Sequence, residues 1–263
     1  MGRLQDKVAV ITGSGDGIGH GIARRFAAEG AKILVAERNV ATGRSTADTL
    51  ATEFGVPTKF VHTDVSVKEQ VLVMIDAAKD EWGTVDILVN NAWGGGTISR
   101  VEKKTDADIA HGMAIGLYGP FWAMQAAFPL MKAQGWGRVV NLCSLNGVNA
   151  HMGSLEYNCA KEALRTLTRT AAREWAPTGV TVNAICPAAK SATFRKVMAE
   201  HPELVASADA SNPMGRMGDP EEDIAPVALF FSSEDCRYIT GNTLYADGGS
   251  HINGSSWAPD LGE

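Results

Sequence analysis

Lys7-Val8-Ala9-Val10-Ile11-Thr12-Gly13-Ser14-Gly15-Asp16-Gly17-Ile18-Gly19 decides how this chain folds. Residues 7–11 form a short apolar run, which reads as a buried parallel strand. A glycine-rich turn follows. Apolar residues then recur at helical spacing through Ile22, Ala23, Phe26 and Ala27, and Gly30 ends the pattern as glycine does just past a helix. In that strand–turn–helix context the backbone can approach a pyrophosphate, and the helix N-terminus presents unpaired N–H groups and a favourable dipole. A glycine turn alone is also what a plain tight turn uses. The flanking strand and helix are what give this one a dinucleotide reading.

The same alternation continues along the chain. Residues 32–36 are a second strand ending at Glu37-Arg38, and 39–54 a polar, amphipathic helix. Residues 58–62 are the third strand and 67–82 the next helix. Residues 85–90 are the fourth strand, and long helices are expected over 106–132 and 157–175. The fifth strand, 137–142, lies between those helices and leads to Ser144. A sixth strand covers 180–185, a last helix 220–232 and a last strand 243–246. Strands alternating with helices predict an α/β fold, a doubly wound Rossmann-type parallel sheet of about seven strands with helices on both faces. One domain over 1–263 accommodates all of it. Ligands of open α/β sheets bind at the carboxyl ends of strands. The glycine turn, Glu37, Asp64, Asn91, Ser144 and Pro187 all fall at such ends.

Glu37 stands where an acidic residue can bind the adenosine ribose hydroxyls, and it would repel a 2′-phosphate. That favours NAD. Arg38 beside it is a good phosphate ligand or could stack on the adenine, so NADP is the alternative.

Tyr157 and Lys161 are four residues apart, with Ser144 thirteen residues upstream of the tyrosine. On a helix, i and i+4 face the same way. An ammonium near a phenol favours the phenolate and lowers the phenol from its ordinary value near ~10, which would make Tyr157 a usable acid/base. Tyr-x-x-x-Lys also occurs by chance on solvated helix faces, so its weight comes from the cofactor turn elsewhere in the chain.

Composition narrows the function classes. The chain has 263 residues and a formal net charge of −6, and it shows no basic run or interleaving of basic and aromatic residues. Nucleic acid is therefore not an expected partner. The four cysteines, at 143, 159, 186 and 236, lack metal-site or thioredoxin-like spacing. All four fall in segments that read as packed, so buried free thiols and a reducing compartment are expected. The first residues lack the apolar stretch of a secretory signal, and no run approaches the ~20 apolar residues that span a membrane. A soluble cytoplasmic protein is expected.

Together these motifs resemble the single-domain short-chain dehydrogenase/reductase family over nearly the whole chain. The resemblance rests on Thr12-Gly13-x-x-x-Gly17-Ile18-Gly19, Asp64-Val65, Asn90-Asn91-Ala92, Ser144 with Tyr157 and Lys161, Asn183-Ala184-Ile185-Cys186-Pro187, Ile239-Thr240-Gly241 and Asp247-Gly248-Gly249. It implies hydride transfer between a nicotinamide and a carbonyl or secondary alcohol carbon. Tyr157 would move the proton, Ser144 would steady the substrate oxygen, and Lys161 would assist Tyr157 and bind the nicotinamide ribose. The cofactor set would be Gly13, Ser14, Asp16, Gly17, Ile18, Gly19, Glu37, Arg38, Asp64, Val65, Asn91, Ala92, Tyr157, Lys161, Pro187 and Thr193. No metal is implied. Trp93, Ser144, Asn146, Met152 and Tyr157 are candidates for binding substrate, with a substrate loop over 188–214 that holds Phe194, Val197, Met198, Leu204 and Val205. The mix suggests a fairly hydrophobic ketone or alcohol. A homotetramer built on the helices 106–132 and 157–175 is also implied.

Four departures qualify the resemblance. Gly116 stands where the family usually carries an asparagine of the proton relay. Trp93 follows Ala92 in place of glycine. The pair after the sixth strand is Pro187-Ala188. Ala192, between Ser191 and Thr193, takes the place of the usual nicotinamide-contacting threonine. Two other readings are kept. One is an NADPH-dependent 3-oxoacyl thioester reductase, with Lys132, Arg165, Arg169 and Arg173 as a docking patch. The other, kept alive by Gly116, is a cofactor-binding regulatory protein with little turnover.

Overall fold

The computed structural model describes residues 2–191, 194–195, 199–200 and 209–252. Seven parallel strands form one sheet in the order β3-β2-β1-β4-β5-β6-β7. They are β1 (Val8–Thr12), β2 (Lys32–Glu37), β3 (Thr58–His62), β4 (Ile87–Asn90), β5 (Gly137–Leu142), β6 (Val180–Pro187) and β7 (Thr243–Ala246). The sheet is doubly wound, as expected, and its order reverses between β1 and β4.

Alternate residues of each strand feed two cores. Ala9, Ile11, Ile33, Val35, Val89 and Val140 pack with α1 (Gly17–Ala28), α2 (Val40–Phe54) and α8 (Ala225–Ser232). Val8, Val10, Leu34, Leu88, Val139 and Val182 pack on the other face with α3 (Lys68–Trp82), α5 (Gly119–Ala133) and α7 (Leu155–Trp175). Central strands buried along nearly their whole length are what a sheet covered on both faces requires.

A buried polar chain ties the sheet to α7. The Asn90 amide donates to Asn141 Oδ1 at 2.8 Å, Asn141 donates to Thr168 Oγ1 at 2.8 Å, and Thr168 donates to the Leu164 carbonyl at 2.8 Å. All three side chains are buried. Their pairing fixes the height of α7 over β4 and β5, because a slip of either would strand buried polar groups.

Several expectations need correction. The helix expected over 106–132 is interrupted. Residues Asp106–Met113 form α4, and Ala114–Tyr118 form a π turn before α5. Pro120 has no N–H to return to the carbonyl of Gly116, and Gly119 instead donates to Ala114 five residues back. The last helix is interrupted likewise, with a π turn at Pro220–Ile224 ahead of α8. There Pro226 has no N–H for the carbonyl four residues back. β4 starts at Ile87 rather than 85, since the Asp86 side chain binds the Val8 N–H at 2.8 Å. Cys143, Cys186 and Cys236 are buried free thiols, but Cys159 is exposed because its position on α7 turns away from both cores. Among the described residues no helix is long and apolar enough to cross a membrane.

Candidate active site

The turn after β1 is clasped to the end of β4. Thr12 Oγ1 accepts the N–H groups of Asn91 (3.0 Å) and Ala92 (3.1 Å) and donates to the Val89 carbonyl. The Asn91 amide donates to the carbonyls of Thr12 (2.9 Å) and Gly13 (3.0 Å). Gly13 lies at φ +65°, and a Cβ there would stand 2.9 Å from the Ala92 Cα. A Cβ on Gly19 would reach 2.3 Å from the Gly13 carbonyl. The turn is thus side-chain-free where it meets α1, whose first-turn N–H groups at Ile18 and Gly19 have no intrahelical acceptor. A dinucleotide pyrophosphate fits that surface.

Some predicted cofactor residues turn out to work within the turn. Ser14 is fully buried and donates to the Ile11 carbonyl at 2.8 Å, so its hydroxyl faces inward. Asp16 caps α1, accepting Gly17 N–H at 2.7 Å, and ion-pairs with Arg195. That pair draws the start of the segment after β6 to the glycine turn. The Asn91 side chain is a clasp.

At the adenosine end, Glu37 accepts the N–H groups of Gly15 (3.1 Å) and Asn39 (2.9 Å), which hold its carboxylate at the mouth of the turn. Arg38 is largely exposed and lies 3.9 Å from Asp64. Burial pushes the Asp64 carboxyl up, but hydrogen bonds from the Ser66 hydroxyl and N–H, with the Arg38 charge, outweigh it and hold the group below its usual range. Val65 is buried in the core beside α5, where its carbonyl approaches Gly119.

Across the sheet, Ser144 caps the short helix α6 (Leu145–Val148), its hydroxyl accepting Asn146 N–H at 3.1 Å. Tyr157 and Lys161 come from the first turns of α7. The Lys161 ammonium is buried and donates to the Leu142 carbonyl at 2.7 Å. Burial pushes that amine down. Burial likewise pushes the Tyr157 phenol up, while hydrogen bonding with Ser144 pulls it the other way. Here the expectation of a phenol lowered by Lys161 is corrected. The ammonium is engaged by a backbone carbonyl, and burial prevails at the phenol. Pro187 is half-buried at the end of β6, paired with Ala246. Met152 is 89% exposed at the rim, and Asn146 is half-buried beside Ser144. Thr193, Val197, Met198, Leu204 and Val205 lie outside the described residues. Of the expected substrate loop, Phe194 is described, its N–H bound to Ser191 Oγ at 3.1 Å.

Trp93 lies directly on this group. Its ring centroid is 4.7 Å from that of Tyr157, edge to face at 74°, and Lys161 Nζ is 5.6 Å from its centre. The segment that follows Trp93 is anchored by residues no local motif revealed. Lys104 forms an ion pair with Glu156 at 2.6 Å, with both side chains only 2% exposed. Glu156 also accepts the Thr97 N–H at 3.1 Å, His111 contacts the Gly94 carbonyl at 3.1 Å, and Ser99 donates to Gly153. Glu156 immediately precedes Tyr157, so this buried pair ties the segment carrying Trp93 to the N-terminal end of α7. Lys104 and Glu156 are far apart in the chain, and no spacing rule links them.

Comparison with known proteins agrees with this geometry. The family model described as "Enoyl-(Acyl carrier protein) reductase" in the short-chain alcohol dehydrogenase group matches residues 13–251. A galactitol 2-dehydrogenase (L-tagatose-forming) of Cereibacter sphaeroides is 38% identical over 254 residues, covering 94% of this chain and 96% of that protein. A 12alpha-hydroxysteroid dehydrogenase of a Clostridium species is 33% identical over 255 residues, covering 95% and 98%. The crystal structure of levodione reductase superimposes with a TM-score of 0.87, at 30% identity, over 95% of this chain and 99% of that one. The chain belongs to the short-chain dehydrogenase/reductase family. It is an oxidoreductase that moves a hydride between a nicotinamide cofactor and an alcohol or ketone carbon.

The Glu156–Lys104 pair gives a stability prediction. Burial pushes the Glu156 carboxyl up, but the bond from Lys104 and those from backbone N–H groups outweigh it and hold it below the usual range. A carboxyl depressed in the folded state stabilises fully above its unfolded value of ~4.3 and loses that contribution as pH falls through the lower folded value. Glu156→Gln leaves Lys104 buried without a counter-charge, which costs about 3 kcal/mol. At neutral pH we expect Tm to fall by roughly 6–12 °C. Thermal unfolding should show the gap between wild type and variant shrinking as pH drops below ~4.

Proposed function

We propose that this protein is an NAD-linked dehydrogenase/reductase of a fairly hydrophobic secondary alcohol or ketone, with Ser144, Tyr157 and Lys161 as its catalytic residues. The observation that carries the reading is the gathering of these three at the carboxyl ends of β5 and α7's first turns, across the sheet from a glycine turn shaped for a pyrophosphate. When bound, the cofactor supplies or accepts the hydride.

The protein's own residues handle the rest. With its phenol pushed up, Tyr157 is protonated at neutral pH and ready to donate to a ketone oxygen; in the other direction it takes the proton from the alcohol. Ser144 hydrogen-bonds that oxygen and steadies its developing charge. Lys161 holds a positive charge beside the phenol and reaches the nicotinamide ribose. Trp93, Asn146 and Met152 wall the substrate side, with 188–214 as the substrate loop. Gly13, Gly17, Ile18 and Gly19 face the pyrophosphate through their backbone. Asp64, Val65, Ala92, Pro187 and Thr193 complete the cofactor's surroundings, and Ser14, Asp16 and Asn91 shape the turn. Glu37 selects NAD. In support, its carboxylate is fixed at the adenosine end by the N–H groups of Gly15 and Asn39. We further infer one domain over the whole chain, a homotetramer and a cytoplasmic location, which accord with the family.

The thioester-reductase reading is weaker. It needs NADPH, against Glu37, and Arg165 of its basic patch is already paired with Glu162.

Two variants test the proposal. Tyr157→Phe should lower turnover on secondary alcohols and ketones by about 10²- to 10⁴-fold while NADH binding, followed by fluorescence, persists; unchanged turnover would refute the assignment. Glu37→Ser should shift the NADH/NADPH ratio of kcat/KM toward NADPH by roughly tenfold or more. A wild type that already prefers NADPH would overturn the NAD reading.

A further inference from the structure

Two departures from the family pattern meet in space. An ideal Cβ on Gly116 would lie 2.7 Å from the Ala160 Cβ and 3.0 Å from Cζ3 of Trp93. The first is closer than real Cβ contacts come, and the second is tight enough that the indole would have to give by a few tenths of an ångström. Neither obstacle yields cheaply: Ala160 is buried and has no torsion to relieve it, and the Trp93 ring is stacked edge-on against Tyr157. Any side chain at 116 would therefore have to shift the indole against Tyr157 or separate α7 from the π turn at Ala160. The absent side chain at 116 is the room that the indole occupies.

The indole in turn touches both partners of the proton-transfer pair. It lies 4.7 Å from Tyr157 between ring centroids, within the range where edge-to-face aromatic pairs attract. Lys161 Nζ is 5.6 Å from the indole centre and 5.7 Å from the Tyr157 ring centre, within reach of a cation–π contact, for which tryptophan offers the best face. The titratable groups around this ammonium are Tyr157 on its own helix, Cys143 beyond β5 and Cys186 near the end of β6. Burial pushes both thiols up to about 12, so neither offers a negative charge at neutral pH. The Leu142 carbonyl and the two aromatic rings are the groups here that favour the charged lysine.

We propose that Trp93 is a positioning residue for Tyr157 and Lys161, and that Gly116 is the space its ring requires, so that the two departures form one device. The proposal rests on Tyr157 being the proton-transferring group. Trp93 acts through its ring on both the ammonium and the phenol, beyond serving as a wall for substrate. The segment carrying it is held to α7 by the buried Lys104–Glu156 pair, which fixes the indole relative to the two side chains it orients.

Steady-state kinetics on wild type, Trp93→Leu, Trp93→Phe, Gly116→Ala and Trp93→Leu/Gly116→Ala tests this, with Tyr157→Phe as control and NADH affinity and Tm read on each sample. Trp93→Leu keeps apolar bulk but removes the π face. It should lose roughly ten- to a hundredfold in kcat, with KM and NADH affinity within about threefold of wild type. Trp93→Phe, which restores an aromatic face, should recover most of the loss. Gly116→Ala should lower kcat in wild type and cost at least about threefold less once Trp93 is Leu, because coupled sites are not additive. An unchanged kcat in Trp93→Leu, a loss confined to KM, or a Phe variant as poor as Leu would overturn the positioning role. Additive penalties at 93 and 116 would overturn the pairing. Turnover that survives Tyr157→Phe would instead refute the underlying assignment, whatever Trp93 does.

Discussion

The close approach of the glycine turn to the end of β4 is the constraint from which the rest of the site follows. Strand order reverses between β1 and β4, so the chain leaves the sheet in opposite directions on either side and opens a crevice there. Keeping that crevice lined by bare backbone requires the two strand ends to be locked together. Thr12 and Asn91 do this with hydrogen bonds that run both ways across the gap. Gly13 is the one residue type that tolerates both its φ and its distance from Ala92.

A second set of contacts places Ser144, Tyr157 and Lys161 at the same sheet end. The Asn90–Asn141–Thr168 chain sets α7 against β4 and β5, and Lys161 reaches back to the Leu142 carbonyl. Glu156, one residue before Tyr157, binds Lys104 and Thr97 and so brings the segment after β4 over the helix. Burial disfavours charge on both Tyr157 and Lys161. Their surroundings matter for that reason: each polar or π contact in a poorly solvated site counts for more than it would in water.

Much of this was legible in the chain itself. The expected bounds of β5 and β7 match the observed strands, since apolar runs closed by turn residues admit little ambiguity. The sheet, its winding and the strand-end location of the glycine turn, Glu37, Ser144 and Pro187 follow from periodicity and glycine placement. What local pattern could not reveal was long-range or negative. The break at 114–118 depends on an N–H that Pro120 lacks, and a helical period continues through it. The Lys104–Glu156 pair joins residues distant in sequence. Ser14, Asp16 and Asn91 match a cofactor motif by position, yet their side chains serve the turn itself. The exposure of Cys159 depends on which side of α7 faces the cores. Gly116 reads as a missing relay residue until Trp93 is seen beside it.

The protein moves a hydride between a nicotinamide and a carbonyl carbon. The most direct measurement is to incubate the protein with NADH deuterated at the transferring C4 position and a panel of hydrophobic ketones, then locate the label by mass spectrometry. Hydride transfer should leave one deuterium on the carbinol carbon of the product alcohol. Alcohol formed without label at that carbon, or no alcohol from any ketone, would contradict it.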